Sequence, residues 1–333
     1  MGLVIGIVGG TGAVGQKMIE SLMERDLDIK DLRLFASERS AGEIIRVDKL
    51  DKDIEVELLT EKVMKEKYDY LYFVAGGEIS KTFAPIAAEA GNMVIDNSSH
   101  FRMDKNIPLV IPEVNLDVLK GYRGIIANPN CSTTQMVLAI GPLYREYGIN
   151  RIVVYTYKAV SGSGYKAMDE LANQLKDEDY GNEVYTRKIA GNCIPHIDMF
   201  EENGFTKEEL KMVYETHKIL KDDKIEINPT AVRVPVVYGH SESIYLELEE
   251  DVNVKEIRNL LEKSTGIIVK DDLSKNKYPT PLEAAGSDST YIGRIRKDLY
   301  NPKGISLWVV SDNLRKGAAT NAIQIMEGLE SIK

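Results

Sequence analysis

Residues 3–26 read "LVIGIVGGTGAVGQKMIESLMERD", and the periodicity changes halfway along. The first six are a short apolar run of buried-strand type. From Ala13 onward Val14, Met18, Ile19 and Leu22 recur on one helical face. Between the two lies Gly10-x-Gly12-x-x-Gly15. Such glycines let a backbone approach a pyrophosphate, and the helix amino terminus behind them offers N–H groups and partial positive charge. The spacing alone would also fit a plain Gly-rich turn. A strand before it and a helix after it are the context a dinucleotide site requires.

The same alternation continues to about residue 130. "DLRLFAS", "DYLYFVAGG", "MVIDNSS" and "GIIANPN" are further apolar runs ending in small or polar residues, and "SKTFAPIAAEAG" between the third and fourth is a helix closed by Gly91. Strands alternating with helices predict an α/β fold with a Rossmann-type, doubly wound parallel sheet, its ligands at the carboxyl ends of the strands. After residue 132 the pattern changes. "RIVVYTYKAV", "SESIYLELEE" and "GISLWVVSDN" alternate as half-exposed strands, which predicts a second, α+β domain with an antiparallel sheet. The last stretch, "LRKGAATNAIQIMEGLESI", places Ala318, Ala322, Ile325 and Leu329 on one face. The expected division is residues 1–130 and 131–313, with the helix of 314–333 packing back on the first domain.

A binder of NAD would carry an acid about 20 residues beyond the glycines, at the end of the second strand, for the ribose 2′-hydroxyl. Here that strand ends "LFASERSAG". Ser37, Arg39 and Ser40 would hold a 2′-phosphate through charge-assisted bonds, which favours NADP. Glu38 is the competing acid.

"NPNCSTTQMVLAIGPL", residues 128–143, holds one of two cysteines. A helix starting near Ser132 would put Cys131 at its amino terminus. Helix amino termini favour thiolates, the thiolate is the nucleophile, and the same N–H groups would stabilise an oxyanion. Beside a nicotinamide, such a thiol points to acyl-thioester chemistry coupled to hydride transfer. Cys193 reads as a buried structural cysteine. Of the four histidines, His217 reads as a surface residue of a charged helix and His196 as a structural hydrogen-bonder. His240, at a Gly-containing corner seven residues after Arg233, is favoured as the acid/base, with His100 a second candidate.

Bulk properties narrow the classes. A net charge of −10 argues against a nucleic-acid partner, which would need a basic face. No segment reaches the roughly 18 apolar residues of a transmembrane helix, and the apolar start reads as a strand rather than a signal peptide. Two cysteines without metal-type spacing make neither a metal site nor a disulfide framework, so a reducing, cytoplasmic setting is expected.

These blocks, with "VIDNSSHFRMD", "IPEVN", "NCIPHID", "RVPVVYGH" and "SDNLRKGAATNAIQI", resemble the aspartate-β-semialdehyde dehydrogenases over nearly the whole chain. Asn-Pro-Asn-Cys-Ser-Thr is the specific part. N-acetylglutamyl-phosphate reductases look like Asn-Pro-Gly-Cys there, and glyceraldehyde-3-phosphate dehydrogenases, which share the fold logic, carry Ser-Cys-Thr-Thr-Asn.

The resemblance implies NADPH-dependent reduction of L-aspartyl 4-phosphate, with Cys131 as nucleophile and His240 as acid/base. It implies that Arg233 binds the substrate α-carboxylate, Glu208 the α-ammonium, and Lys211, Arg102 and Asn130 the phosphate. Without it, Glu208 and Lys211 would read as an exposed i, i+3 salt-bridged pair, and Arg102 as a loop charge. Gly10, Thr11, Gly12, Ala13 and Val14 would contact the pyrophosphate side of NADP, and Ser161, Gly162 and Asn313 its nicotinamide end. A homodimer or homotetramer is expected through the second domain. One position departs: where the family reads Tyr-Gln-Ala, this chain has "YKAVSG", so Lys158 stands at the glutamine of the substrate site. An ammonium only donates and brings a charge, so an altered but working site is expected. A non-catalytic NADP-binding homologue, or an enzyme for another acyl phosphate, would be the alternatives.

Overall fold

The computed structural model describes residues 2–177 and 179–332. The chain forms two compact units, Met1–Pro129 with Ala318–Lys333, and Asn130–Gly317.

The first unit holds β1 (Leu3–Val8), α1 (Ala13–Met23), β2 (Ile29–Ala36), β3 (Ile44–Val47), β4 (Lys52–Leu58), α2 (Glu61–Met64), β5 (Tyr70–Phe73), α3 (Gly77–Glu89), β6 (Met93–Asp96), α4 (Pro112–Asn115) and β7 (Ile125–Ala127). Its sheet runs β3-β4-β2-β1-β5-β6-β7, and every pairing except β3 with β4 is parallel. The two-residue period of β1 explains why both faces are covered. Ile5 and Ile7 join a core with Met18 and Leu22 of α1 and with Ala322, Ile325 and Met326 of the C-terminal helix, Thr320–Ser331. Val8 joins the opposite core, with Phe35, Leu71, Phe73, Ala84 and Ala87. Each fully buried Ile, Leu, Val, Met or Phe among them contributes about 1.5–3 kcal/mol of transfer free energy. The strand β1 therefore lies mid-sheet and delivers its glycine loop to the carboxyl edge.

The second unit holds α5 (Cys131–Tyr147), β8 (Ile149–Lys158), α6 (Tyr165–Lys176), α7 (Lys207–Leu220), β9 (Glu226–Arg233), β10 (His240–Leu248), α8 (Val254–Glu262), β11 (Ile267–Val269), α9 (Pro281–Ala284), β12 (Thr290–Lys297) and β13 (Gly304–Ser311). Its sheet runs β11-β12-β13-β10-β8-β9. It is mixed rather than antiparallel: β8 pairs parallel with β9, and β11 with β12. Helices sit in the connections β8 to β9 and β11 to β12, as parallel crossovers require. The helix α5 is buried on every side from Ser132 to Leu143, the signature of a central helix rather than an amphipathic one.

Candidate active site

In the first unit, Gly9, Thr11 and Gly12 share one cleft of about 700 Å³ with Ser37, Glu38, Arg39, Ser40 and Thr60. Ser37 to Ser40 form the turn that follows β2, with the Ser40 N–H on the Ser37 carbonyl at 3.0 Å. A Cβ at Gly15 would overlap the Gly9 carbonyl oxygen, so only glycine lets α1 seat this close under the loop. A closely approached glycine loop, a helix amino terminus and an exposed arginine fit a dinucleotide with its phosphates. Gly10, Ala13 and Val14 do not line the cleft. Arg102 is also in this unit, buried, its guanidinium donating to the carbonyls of Asn128 and Asn97, both at 2.9 Å. His100 packs edge-on against Phe101.

In the second unit, sheet register assembles the site. Arg233 at the end of β9 pairs with Lys158 at the end of β8. Tyr157 lies opposite Ser241, which puts Lys158 alongside His240, and His240 pairs with Ser311 of β13. Residues directly opposite share a face. Ser311, His240, Lys158 and Arg233 are therefore one buried polar row across four strands.

Cys131 is the first residue of α5 and Asn130 its N-cap. The Asn130 Oδ1 accepts from the Ser132 N–H at 2.9 Å and the Thr133 N–H at 3.5 Å. The N–H groups expected to serve an oxyanion are thus already engaged by the cap. Asn130 is held in turn: its N–H donates to Glu215 at 2.7 Å and its Nδ2 to Glu208 at 2.9 Å. Gln135, one turn along the same helix face as Cys131, reaches the His240 carbonyl at 3.4 Å. Gly317 closes the other side of Cys131. A Cβ there would stand 2.8 Å from the cysteine Cβ.

His240 is fully buried at the start of β10, just after Gly239. Its Nδ1 accepts the Ala159 N–H at 3.0 Å, which places the ring proton of the neutral form on Nε2. A proton on Nδ1 would oppose that N–H. Burial first, then the charges of Lys158 and Arg233, hold the imidazole well below its usual pKa. The resting ring is therefore neutral and a donor at Nε2. A Cβ on Gly162 would come 3.4 Å from both His240 Cε1 and Arg233 Nη1. Arg233 Nη1 donates to the Ala159 carbonyl at 2.6 Å, while its Nε has no protein partner. Asn313 joins Ser161 at 3.0 Å and accepts the Gly239 N–H at 3.0 Å.

Glu208 is the electrostatic centre. It lies near the start of α7, which opens with a capping box of Thr206 and Glu209. It is not an exposed partner of Lys211 but buried, with Lys158 on Oε1 and Lys211 on Oε2 at 3.0 Å. Burial alone would raise its carboxyl, but the charges of Lys158 and Lys211 outweigh it and hold the group well below the usual range. Lys211 also reaches Asp198 at 2.8 Å.

Cys193 is exposed rather than buried, in the turn that follows Ile189. His196 stacks on Phe200, and His217 Nε2 lies 2.8 Å from the Ile225 carbonyl oxygen. The sequence reading missed Glu215, Gln135 and Glu242. Strand phase was available for the last: Ile244, Leu246 and Leu248 point inward along β10, so His240 and Glu242 do too.

Known proteins resemble this chain over almost its whole length. The sequence model of the semialdehyde dehydrogenase NAD binding domain matches residues 4–122, and that of the semialdehyde dehydrogenase dimerisation domain matches residues 140–316. The aspartate-semialdehyde dehydrogenase of Legionella pneumophila is 50% identical over 335 residues, 98% of this chain and 96% of that protein. The structure of aspartate semialdehyde dehydrogenase II from Vibrio cholerae, complexed with ASA, superposes with a TM-score of 0.95 at 46% identity over 99% of each chain. That of aspartate semialdehyde dehydrogenase with NADP from Candida albicans superposes at 0.78 and 25% identity, over 100% of this chain and 99% of that one. With two matched domains and half the residues shared over almost the full length, the chain belongs to the aspartate-semialdehyde dehydrogenase family.

Proposed function

We propose that this protein reduces L-aspartyl 4-phosphate to L-aspartate 4-semialdehyde and phosphate, reversibly and with NADPH, in the cytoplasmic synthesis of lysine (through diaminopimelate), methionine and threonine. The observation that carries the proposal is the position of Cys131. It heads a buried helix, on the helix face whose next turn touches His240, and its capping residue is bonded to Glu208.

The Cys131 thiolate attacks the C4 carbonyl; the C–S bond forms, the C–O bond to phosphate breaks, and phosphate leaves. NADPH, when bound, supplies the hydride that reduces the thioester carbon. Collapse then returns the thiolate to Cys131 and frees the aldehyde. His240, carrying its proton on Nε2, donates to the oxyanion that each attack generates, and any proton it exchanges passes at that atom. Arg233, its Nε free of protein partners, takes the α-carboxylate. Glu208 takes the α-ammonium, in competition with Lys158. Lys211, Arg102 and Asn130 receive the phosphate, although Asn130 already spends its Nδ2 on Glu208. Ser161, Gly162 and Asn313 receive the nicotinamide end of the cofactor, and Thr11 with Gly12 the pyrophosphate. The 2′-phosphate falls to Ser37, Arg39 and Ser40. The match to a dimerisation domain supports a homodimer or homotetramer.

The test is phosphate-dependent formation of NADPH from NADP and L-aspartate semialdehyde, run beside N-acetylglutamate semialdehyde. Turnover of the first alone is expected. Turnover only of the second, or of neither, would overturn the assignment.

A further inference from the structure

The polar row of the second unit has an unused acid beneath it. Glu242, two residues along β10 from His240, is fully buried, and neither of its carboxyl oxygens has a hydrogen-bond partner. Two more partnerless oxygens face the same space. Thr156 Oγ1 sits directly across the strand pair, since Glu242 pairs with Thr156. Gln135 Oε1 comes from α5, whose amide is the polar group against the Glu242 carboxyl.

The orientation of Gln135 is decided by its other end. Nε2 points at the His240 carbonyl, and the reversed amide would set two oxygens against each other. Its Oε1 therefore needs a donor, and the carboxyl of Glu242 provides one only if it keeps its proton. An ionised Glu242 would leave Gln135 Oε1 unsatisfied and add an uncompensated buried charge.

We propose that Glu242 is held as a neutral acid and is a positioning residue for His240. Glu242 donates to Gln135 Oε1, and Gln135 donates to the His240 carbonyl. The chain joins the helix that carries Cys131 to the strand that carries His240. Burial acts in the same sense, pushing the Glu242 carboxyl well above its usual range against the opposing charge of Lys158. The charged and titratable groups on the adjoining elements include Lys158 of β8, Arg233 of β9, His240 on its own strand, Cys131 of α5, and Glu208 and Glu215 of α7. Lys158 favours ionisation, and Glu208, paired with Lys158, blunts that pull.

The inference rests on His240 acting in the reaction, so the test separates the two. Infrared difference spectra of the parent protein against Glu242→Gln report the protonation state directly. A protonated-carboxyl C=O band is expected at neutral pH; a carboxylate signature in its place overturns the proposal. In turnover, Glu242→Gln restores a donor and stays close to the parent. Glu242→Met, of similar shape but mute, loses about 10- to 100-fold in kcat with KM little changed. Equal losses in the two variants would overturn the proposal, and if Glu242→Met fails to fold, the spectrum and Glu242→Gln still decide.

Stability supplies a further readout. The folded state keeps a proton that the unfolded chain releases above about pH 4.3, so parent stability falls as pH rises from there. The Tm advantage of Glu242→Gln should widen over that range, and a constant gap would count against the neutral acid. If His240→Asn keeps full turnover, the catalytic reading of His240 falls and the positioning role with it. If His240→Asn abolishes turnover while Glu242→Met matches the parent, the positioning role alone falls.

Discussion

Replacing Lys158 by methionine keeps the length of a buried side chain and removes its charge. In the structure that charge rests on Glu208 in a nearly dry environment, with side-chain exposures of 3% and 9%. Breaking a buried pair from one side costs about 3–5 kcal/mol when nothing else holds the remaining ion. Here Lys211 at 3.0 Å and the Asn130 amide at 2.9 Å stay in place. Bonds of that kind to a charged group are worth about 1.5–3 kcal/mol each, so the expected loss is reduced to about 1–3 kcal/mol. Lys158→Gln, which still donates to Glu208, should lose about 1 kcal/mol or less.

The pH dependence has a definite sign. The Glu208 carboxyl is depressed in the folded state, so its stabilisation is present above about pH 4.3 and is lost as pH falls through the folded value. The gap between parent and Lys158→Met should therefore be full at neutral pH and close in acid. Chemical denaturation from about pH 2 to 8, in parent and Glu208→Gln backgrounds, measures it. The single-mutant loss should largely vanish in the Glu208→Gln background. A Lys158→Met protein as stable as the parent at pH 7, or a loss indifferent to Glu208, would refute the reasoning.

Other predictions follow from the same geometry. Arg39→Ala should raise KM for NADP roughly 10- to 100-fold, the loss of a charge-assisted contact, and leave KM for NAD unchanged; equal effects on both would remove Arg39 from the 2′-phosphate. Gly317→Ala would press a methyl against Cys131 and should cost about 1–3 kcal/mol in stability along with a fall in kcat, whereas a silent substitution would show that α5 is free to shift. Nitrogen NMR of the histidine rings, assigned with His240→Asn, should show His240 neutral with its proton on Nε2 well below pH 6.5; titration near 6.5 would contradict the burial argument.

How far the sequence carries this account depends on what kind of pattern each part leaves. The β1–α1 unit is legible because its apolar period switches from two to 3.6 across a glycine loop. The edge hairpin of β3 and β4 is not, because β3 is only four residues long and is interrupted by Arg46, and β4 alternates acidic with apolar residues instead of forming an apolar run. The strand β9 carries Pro229, which a central strand would not tolerate, and it lies at the sheet edge, where proline is allowed. In the site, Cys131 and His240 stand out by local context, a helix start and a glycine corner. The pairing of Lys158 with Glu208 leaves no local trace, because it joins residues fifty apart through the meeting of a strand end and a helix start. Glu242 was hidden by chemistry rather than distance: a glutamate in an alternating strand reads as solvent-facing until the phase of its neighbours is followed.

The most direct test of the central claim withholds phosphate. L-Aspartate semialdehyde and NADP, mixed with the protein alone, should give a stoichiometric burst of NADPH and then stop, leaving the acyl group as a thioester on the peptide that contains Cys131, visible by mass spectrometry. Cys131→Ser should give neither burst nor adduct. A burst without an adduct on Cys131, or a Cys131→Ser protein that behaves like the parent, would contradict the account.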